Sequence, residues 1–278
     1  QKPSPSHRLL TLAALLAALP AAAASDITDL GTLRNDNSGN SGAYAISSDG
    51  SLVVGQASNN SREDRATVWS GSNWGTKTDL GTLTADNSGN SGAYAFSRDG
   101  SVVVGFATDD NSDHRATVWS GSNWTTKTDL GTFKTGNSGV SAAHAVSSDG
   151  TVVVGQAIDD NYEFRAAVWS GSGWGIKTNL GTLRTDNTSG SSARAVSSDG
   201  SVIVGEAVND TGEQRATVWS GSNWSTKTDL GTLSTGNSGQ SFAWGINSDG
   251  STVVGQADND NGESHATVWS GSGWTTKT

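Results

Sequence analysis

The chain has 278 residues, 33% hydrophobic and 16% charged, with a net charge of −10 and no cysteine. Without cysteine there can be no disulfide, thiolate nucleophile or cysteine metal site. The 17 Lys and Arg are scattered among 27 Asp and Glu, a field that repels a phosphate backbone, so no nucleic-acid partner is expected.

The chain opens on a short basic stretch with Lys2, His7 and Arg8, followed by an apolar run from Leu9 to Leu19, Pro20, and the small residues Ala21 to Ala24. This is the order of a secretory signal peptide, with cleavage expected near Ala23 or Ala24. At about 1.5 Å per residue the apolar run is too short for a hydrocarbon core of about 30 Å. Residues 1–24 are therefore read as a leader and residues 25–278 as a single repeat domain. The start at Gln1 and the end at Thr278 inside a repeat suggest a piece of a longer protein.

From there a period of 50 residues governs the sequence. Asp-Leu-Gly-Thr begins at Asp29, Asp79, Asp129 and Asp229, with Asn179 in the fourth place. Asp49-Gly50, Val54-Gly55 and the Trp69/Trp74 pair each return at the same interval. Five β units are expected, because a period of this length is the mark of a repeat architecture. Within a unit, Ala43–Ile46 is a short strand, Ser48-Asp49-Gly50 a turn, and Leu52–Ala57 a strand with a β-branched centre. A polar stretch over 58–64 leads to a third strand, Arg65–Trp69. Gly71-Ser72-Asn73 turns the chain into a fourth, more polar strand from Trp74 to Leu80. No 3.6-residue stripe competes with this reading.

Four short antiparallel strands per unit predict an all-β, β-propeller-like array. A closed five-bladed ring is one form of it, in which Ile27–Leu33 would complete the last blade. A parallel β-helix or open β-solenoid is the alternative, disfavoured by the sharp Asp-Gly and Gly-Ser-Asn turns.

Comparison between units separates scaffold from variable surface. The structural set comprises Trp69, Trp74, Trp119, Trp124, Trp169, Trp174, Trp219, Trp224, Trp269 and Trp274, together with Gly55, Gly105, Gly155, Gly205 and Gly255. Each Trp pair is a candidate cross-strand aromatic contact, and each Gly ends a β-branched run where a bulge or close backbone approach is expected. Ala43, Ala45 and Ala57 are read as the face where neighbouring units meet. Tyr44, Tyr94, His144, Arg194 and Trp244 occupy one equivalent position with four different kinds of side chain. They cannot all fill one buried hole, so they are the candidate binding residues. An arginine at 65, 115, 165 and 215, and His265, follow an acidic residue two positions earlier, and a local ion pair is expected.

Chemistry is sparse. Asp258–Glu263 has some likeness to a calcium loop but lacks the EF-hand spacing, so no cofactor or metal is expected beyond weak Ca2+ binding. The histidines fall at unrelated repeat positions, and no nucleophile elbow or phosphate loop is present. Near-identical units do not supply the asymmetric constellation an enzyme needs, so a non-enzymatic chain is expected.

The run Ala-Tyr-Ala-Ile-Ser-Ser-Asp-Gly-Ser-Leu-Val-Val-Gly-Gln-Ala from Ala43, then Arg-Ala-Thr-Val-Trp from Arg65 and Asp-Leu-Gly-Thr-Leu from Asp79, resembles the extracellular HAF-type repeats. Their His-Ala-Phe triplet appears here as His265-Ala266-Thr267, and as Arg-Ala-Thr or Arg-Ala-Ala elsewhere. The resemblance covers Ile27 to Thr278 and implies an exported bacterial protein such as an autotransporter passenger. It implies surface or outer-membrane location, attachment through a barrel C-terminal to this sequence, and binding or adhesion to a protein or glycan. It carries over no catalytic residue. A spacer without a ligand and an extracellular glycan-acting hydrolase are the alternatives.

Overall fold

The computed structural model describes residues 27–278; the leader expected over residues 1–24 lies outside them. The described chain forms five four-stranded antiparallel sheets, one per repeat. The first contains β1 (Ser41–Ile46), β2 (Val53–Ser58), β3 (Asp64–Ser70) and β4 (Thr76–Asp79). The second contains β5 (Ser91–Phe96), β6 (Val103–Thr108), β7 (His114–Ser120) and β8 (Thr126–Asp129). The third contains β9 (Ser141–Val146), β10 (Val153–Ile158), β11 (Phe164–Ser170) and β12 (Ile176–Asn179). The fourth contains β13 (Ser191–Val196), β14 (Ile203–Val208), β15 (Gln214–Ser220) and β16 (Thr226–Asp229). The fifth contains β17 (Ser241–Ile246), β18 (Val253–Asp258), β19 (Ser264–Ser270) and β20 (Thr276–Lys277). The antiparallel hairpins rule out the β-helix. Consecutive sheets pack face to face, and β1, β5, β9, β13 and β17 pack in succession along the inner side, as in a propeller. Among the described residues no helix is long and apolar enough to cross a membrane.

Local chemistry fixes each turn. At the first, Asp49 Oδ1 accepts from the Ser47 hydroxyl at 2.6 Å and the Ser51 amide at 3.0 Å, while Gly50 takes φ +73° and donates to the Ser47 carbonyl. A carboxylate that accepts several hydrogen bonds is held in its charged form, and the Asp49 pKa is lowered to about 2, the Ser47 hydroxyl being the largest cause. Between β3 and β4, Gly71 and Trp74 both take positive φ, and a 3-10 turn over Ser72–Trp74 shortens the expected fourth strand to Thr76–Asp79.

The constant glycines mark a close approach. A Cβ on Gly55 would fall onto the carbonyl oxygen of Gly42 in β1, and the other four glycines stand in the same relation to their inner strands. The inner strand is bulged opposite this point, with the register shifting between Ala43 and Ala45.

The core lies between blades. Val54, Ala66, Val68 and Leu80 of the first sheet meet Ala93, Val103, Ala107 and Trp119 of the second, and the same set returns at the other three joints. The first Trp of each pair (Trp69, Trp119, Trp169, Trp219, Trp269) is fully buried. The second is half-buried, and Trp74 donates its ring N–H to the Gly50 carbonyl at 3.0 Å. Trp124, Trp174, Trp224 and Trp274 repeat that bond.

The Asp-Leu-Gly-Thr-Leu element is a strap between units. The Leu80 amide donates to the Ala66 carbonyl behind it, and the Leu83 amide donates to the Thr108 carbonyl ahead. The first strap therefore docks on the first blade and does not complete the last one. Leu30 and Leu33 pack on Val53, Ala57 and Trp69, and Trp69 donates to the Leu30 carbonyl at 2.9 Å.

Gly155→Ala drives a methyl group into backbone that no side-chain rotation can clear. It is expected to cost about 1–3 kcal/mol or more, read as a lower urea midpoint. Gly236→Ala, placed in open space at negative φ, leaves the midpoint unchanged.

Candidate functional site

The five variable residues sit one on each inner strand, so the packing of those strands brings them into a ladder. Tyr44 and Tyr94 meet edge to face with ring centroids 5.7 Å apart, and Tyr94 lies 6.3 Å from the His144 ring. The Arg194 guanidinium lies 5.4 Å from the centre of the Trp244 ring, within reach of a cation–π contact. Tyr44 and Trp244 are about half exposed, at 50% and 47%, and the middle three are partly covered. The ladder is thus accessible, as the diversity of its side chains predicts.

A second variable position supports it. Phe106 on β6 lies 5.7 Å from Tyr94 and 4.6 Å from His114, extending the aromatic half outward. Glu206 on β14, at the same repeat position as Phe106, receives Arg194 at 2.6–3.1 Å through both carboxylate oxygens. Phe242 stacks on Trp244 at 5.6 Å with the planes 7° apart. Sequence comparison did not single out these partners. The signal was present, since residues 56, 106, 156, 206 and 256 read Gln, Phe, Gln, Glu and Gln. Phe appears beside Tyr94 and Glu beside Arg194.

The two halves differ in chemistry. Tyr44, Tyr94, Phe106, His114 and His144 form an aromatic run. Arg194 and Glu206 border a polar pocket of about 300 Å³, also lined by Gln156, Phe164, Ser192 and Gln214. The buried Ser192 hydroxyl has no protein partner.

His144 is neutral near pH 7. Its Nδ1 lies 2.8 Å from the Ala193 carbonyl oxygen, which can only accept, so Nδ1 carries the proton. Burial is the largest cause that lowers its pKa to about 4, with the Arg194 charge acting in the same direction and the Ala193 hydrogen bond opposing. Burial also raises the Tyr94 hydroxyl pKa.

The acidic loops hold the chain together. Asp260 accepts from the Thr235 amide and hydroxyl at 2.6 and 2.7 Å, and Asp258 from the Gln240 amide and Ser264 hydroxyl. Among the described residues no group of three or more His, Asp or Glu is placed to hold a metal ion. The expected ion pair two residues apart forms at Arg65–Glu63 and Arg215–Glu213, with the more distant His265–Glu263 contact at 3.8 Å. Arg115 instead takes Asp129, while Asp113 accepts from the Gly139 amide, and Arg165 takes Asp159.

No family model and no curated protein matches the sequence. The fold does match solved structures. TolB from Acinetobacter baumannii superposes with a TM-score of 0.56 at 15% identity over 84% of this chain and 53% of its own. A putative TolB from Agrobacterium tumefaciens gives 0.57 at 15% identity over 86% and 79%. The β-propeller domain of the Trilobed protease from Pyrococcus furiosus gives 0.51 at 10% identity over 83% and 69%. The chain is a β-propeller of five four-stranded blades. It spans about half the length of the A. baumannii protein, and identities this low show the fold alone.

The His144 geometry has a pH consequence. A histidine with a depressed native pKa takes up its proton on unfolding between the native value, about 4, and the ordinary 6.5. Its contribution to stability is intact above pH 6.5 and falls as pH drops toward 4. The local slope approaches about 1.4 kcal/mol per pH unit for one proton. Urea titrations from pH 7 to 4 are expected to show this slope, and His144→Phe to remove it.

Proposed function

We propose that this chain is a non-enzymatic binding domain of an exported surface protein, and that its ligand lies across the inner-strand ladder. The observation that carries this reading is the contrast between constant scaffold and varied ladder. Trp69, Gly55 and Ala57 recur in every unit, while four different kinds of side chain stand at one position of the adjoining inner strands, Tyr44, Tyr94 and His144 in one contact run and Arg194 with Trp244 in another. A spacer gains nothing from such diversity.

A glycan is the ligand class this chemistry suits. Half-exposed Tyr44 and Trp244 offer ring faces for stacking, since aromatic side chains pair a large apolar body with a polar handle. Arg194, Glu206 and Gln156 supply donors and acceptors beside them. A few convergent polar groups among aromatic walls are the usual make-up of a small-molecule site. The surface location rests on the leader of residues 1–24 and on the likeness to HAF-type repeats.

The electrostatics support a binding role over a hydrolytic one. Among the described residues, each carboxylate whose pKa is shifted is shifted downward, as at Asp199 and Glu213, both lowered to about 2. A general acid needs the opposite shift, toward the working pH.

Arg194→Ala combined with Trp244→Ala removes both ends of the cation–π contact without touching a blade joint. Glycan-array screening followed by calorimetry on a glycan that the unaltered chain binds is expected to show at least a tenfold loss of affinity. The thermal midpoint of this double variant is expected to fall, because buried Glu206 loses the Arg194 guanidinium, whereas Trp244→Ala alone should weaken binding with the midpoint in place. Unchanged affinity in the double variant would remove the ladder as the site.

A further inference from the structure

The repeat is broken at one internal joint, between the third and fourth blades, and the breaks converge on one pocket. In the other units the loop that enters the inner strand carries a glycine at positive φ, Gly39, Gly89, Gly139 and Gly239 at +85° to +91°. The next residue there has a side chain: Asn40, Asn90, Val140 or Gln240. In the fourth unit the pair is transposed to Ser189-Gly190. Ser189 takes the left-handed conformation at φ +68°, which is unfavourable for a residue with a Cβ. Gly190 does not take positive φ, and a Cβ on it would meet nothing nearer than 3.7 Å. Neither backbone conformation nor crowding calls for a glycine at 190. What it leaves is space. At the joint between the first two blades, the Asn90 side chain fills that space and accepts from the Asp64 amide at 3.0 Å.

The polar pocket beside Arg194 and Glu206 lies at this gap, with Gly190 in its wall. Three further departures from the repeat line the same pocket. The first is Glu163. Its counterparts Glu63, Asp113 and Glu213 accept from the glycine amide across their joints at 2.7–2.9 Å. Here Arg165 and the Glu163 amide both go to Asp159, and the Glu163 carboxylate stands exposed, with no donor or cation bound to it among the described residues. The second is Ser192. Residues 42, 92, 142 and 242 are Gly, Gly, Ala and Phe, so only the fourth blade places a hydroxyl there, on a residue 4% exposed and without a partner. The third is aromatic. Tyr162 and Phe164 replace the small or polar residues of the other units and are 72% and 40% exposed. Lys134 lies over the Tyr162 ring, 4.0 Å from its centre.

Charge sets the class of ligand. Of the charged residues that line the pocket, Arg194 and Glu206 neutralise each other through a two-oxygen contact, which leaves the Glu163 carboxylate. A free carboxylate beside exposed rings suits an ammonium group, which gains from the ion pair and from the negative face of a ring. The same carboxylate repels uronic and sialic acids. We infer that this pocket is the subsite for an amine-bearing sugar, a hexosamine with a free amino group, within the glycan bound along the ladder. The inference rests on the reading of the ladder as a glycan site. Arg194 belongs to both ladder and pocket, so a glycan laid along the inner strands reaches the pocket at the fourth blade. The ammonium pairs with Glu163, the apolar face of the sugar stacks on Phe164, and the Gln156 and Gln214 amides serve the ring hydroxyls.

Two variants and a matched pair of probes give the test. The probes are a β-1,4-linked glucosamine tetrasaccharide and its fully N-acetylated counterpart, titrated by calorimetry at about pH 6, where such an amine is protonated. The unaltered chain is expected to prefer the amine form by about tenfold or more, the size of one charge-assisted hydrogen bond. Glu163→Gln should abolish that preference and leave the affinity for the acetylated form unchanged. Gly190→Asn places at 190 the residue found at positions 40 and 90, so it should fill the gap and weaken the amine form to the same level. Its thermal midpoint should hold or rise, since a glycine is replaced where the backbone accepts a side chain. Four results overturn the inference: no binding of the amine form, equal affinity for both forms, amine binding untouched by either variant, or Glu163-dependent binding of trilysine at equal strength, which would give the pocket to a basic peptide. Trp244→Ala separates this inference from the reading beneath it. If it weakens both probes while Gly190→Asn weakens neither, the ladder remains the glycan site and the pocket has no part in it. If the pocket variants act and Trp244→Ala does not, the sugar sits in the pocket alone and the ladder reading falls.

Discussion

Closeness of backbone between the two innermost strands of each unit is the constraint from which the rest follows. Glycine at 55, 105, 155, 205 and 255 lets the inner strand approach until a Cβ would strike its carbonyl. Across the joint, Ala93 and its counterparts leave room for the valine pair of the preceding blade. Protein interiors are packed to crystalline density, so small residues at both contacts fix the spacing between strands and between sheets. A buried Trp then fills what remains on each blade, such as Trp119 at the first joint. A sheet of this size would be marginal alone, because it cannot cover its own faces. Stability is therefore a property of neighbouring pairs, and a fault at one joint weakens two blades.

Much of this was written in the sequence because the repeat reports its own geometry five times. The four strands, the Asp-Gly turns and the blade architecture follow from the period, β-branching and turn chemistry. The close approach at Gly55 was legible for the same reason, since a glycine kept within a β-branched run has few other uses. The strap was not. Asp79–Leu83 reads as the end of a polar strand, and its hand-over from the Ala66 carbonyl to the Thr108 carbonyl is a tertiary bond with no local signature. That is why the segment at Ile27–Leu33 looked able to complete the last blade, when it belongs to the first. Arginine partners were equally hidden. Two residues of separation bring Glu63, just before β3, to Arg65 within it, but Asp129 is reached by Arg115 across the β7–β8 pair.

The candidate site shows the same division. Variation at Tyr44, Tyr94, His144, Arg194 and Trp244 identified an open position, and the inner strands place these residues in a row. The sequence could not say which neighbours they would recruit. Tyr94 with Phe106 and Arg194 with Glu206 are linked through the register of strands one and two, and the bulge at residues 43–45 and its counterparts shifts that register. A simple alternation would have paired the wrong side chains. The bulge carries a functional consequence, since it re-aims one side chain per blade without disturbing the packing on either side.

Scaffold and surface are in this way energetically separate. The ladder contacts join Tyr44, Tyr94 and His144, and Arg194 with Trp244, with Phe106 and Glu206 added from strand two, while the joint is carried by valine, alanine, leucine and tryptophan. Changes at the ladder cost little burial, so five units can diverge there and remain interchangeable as blades.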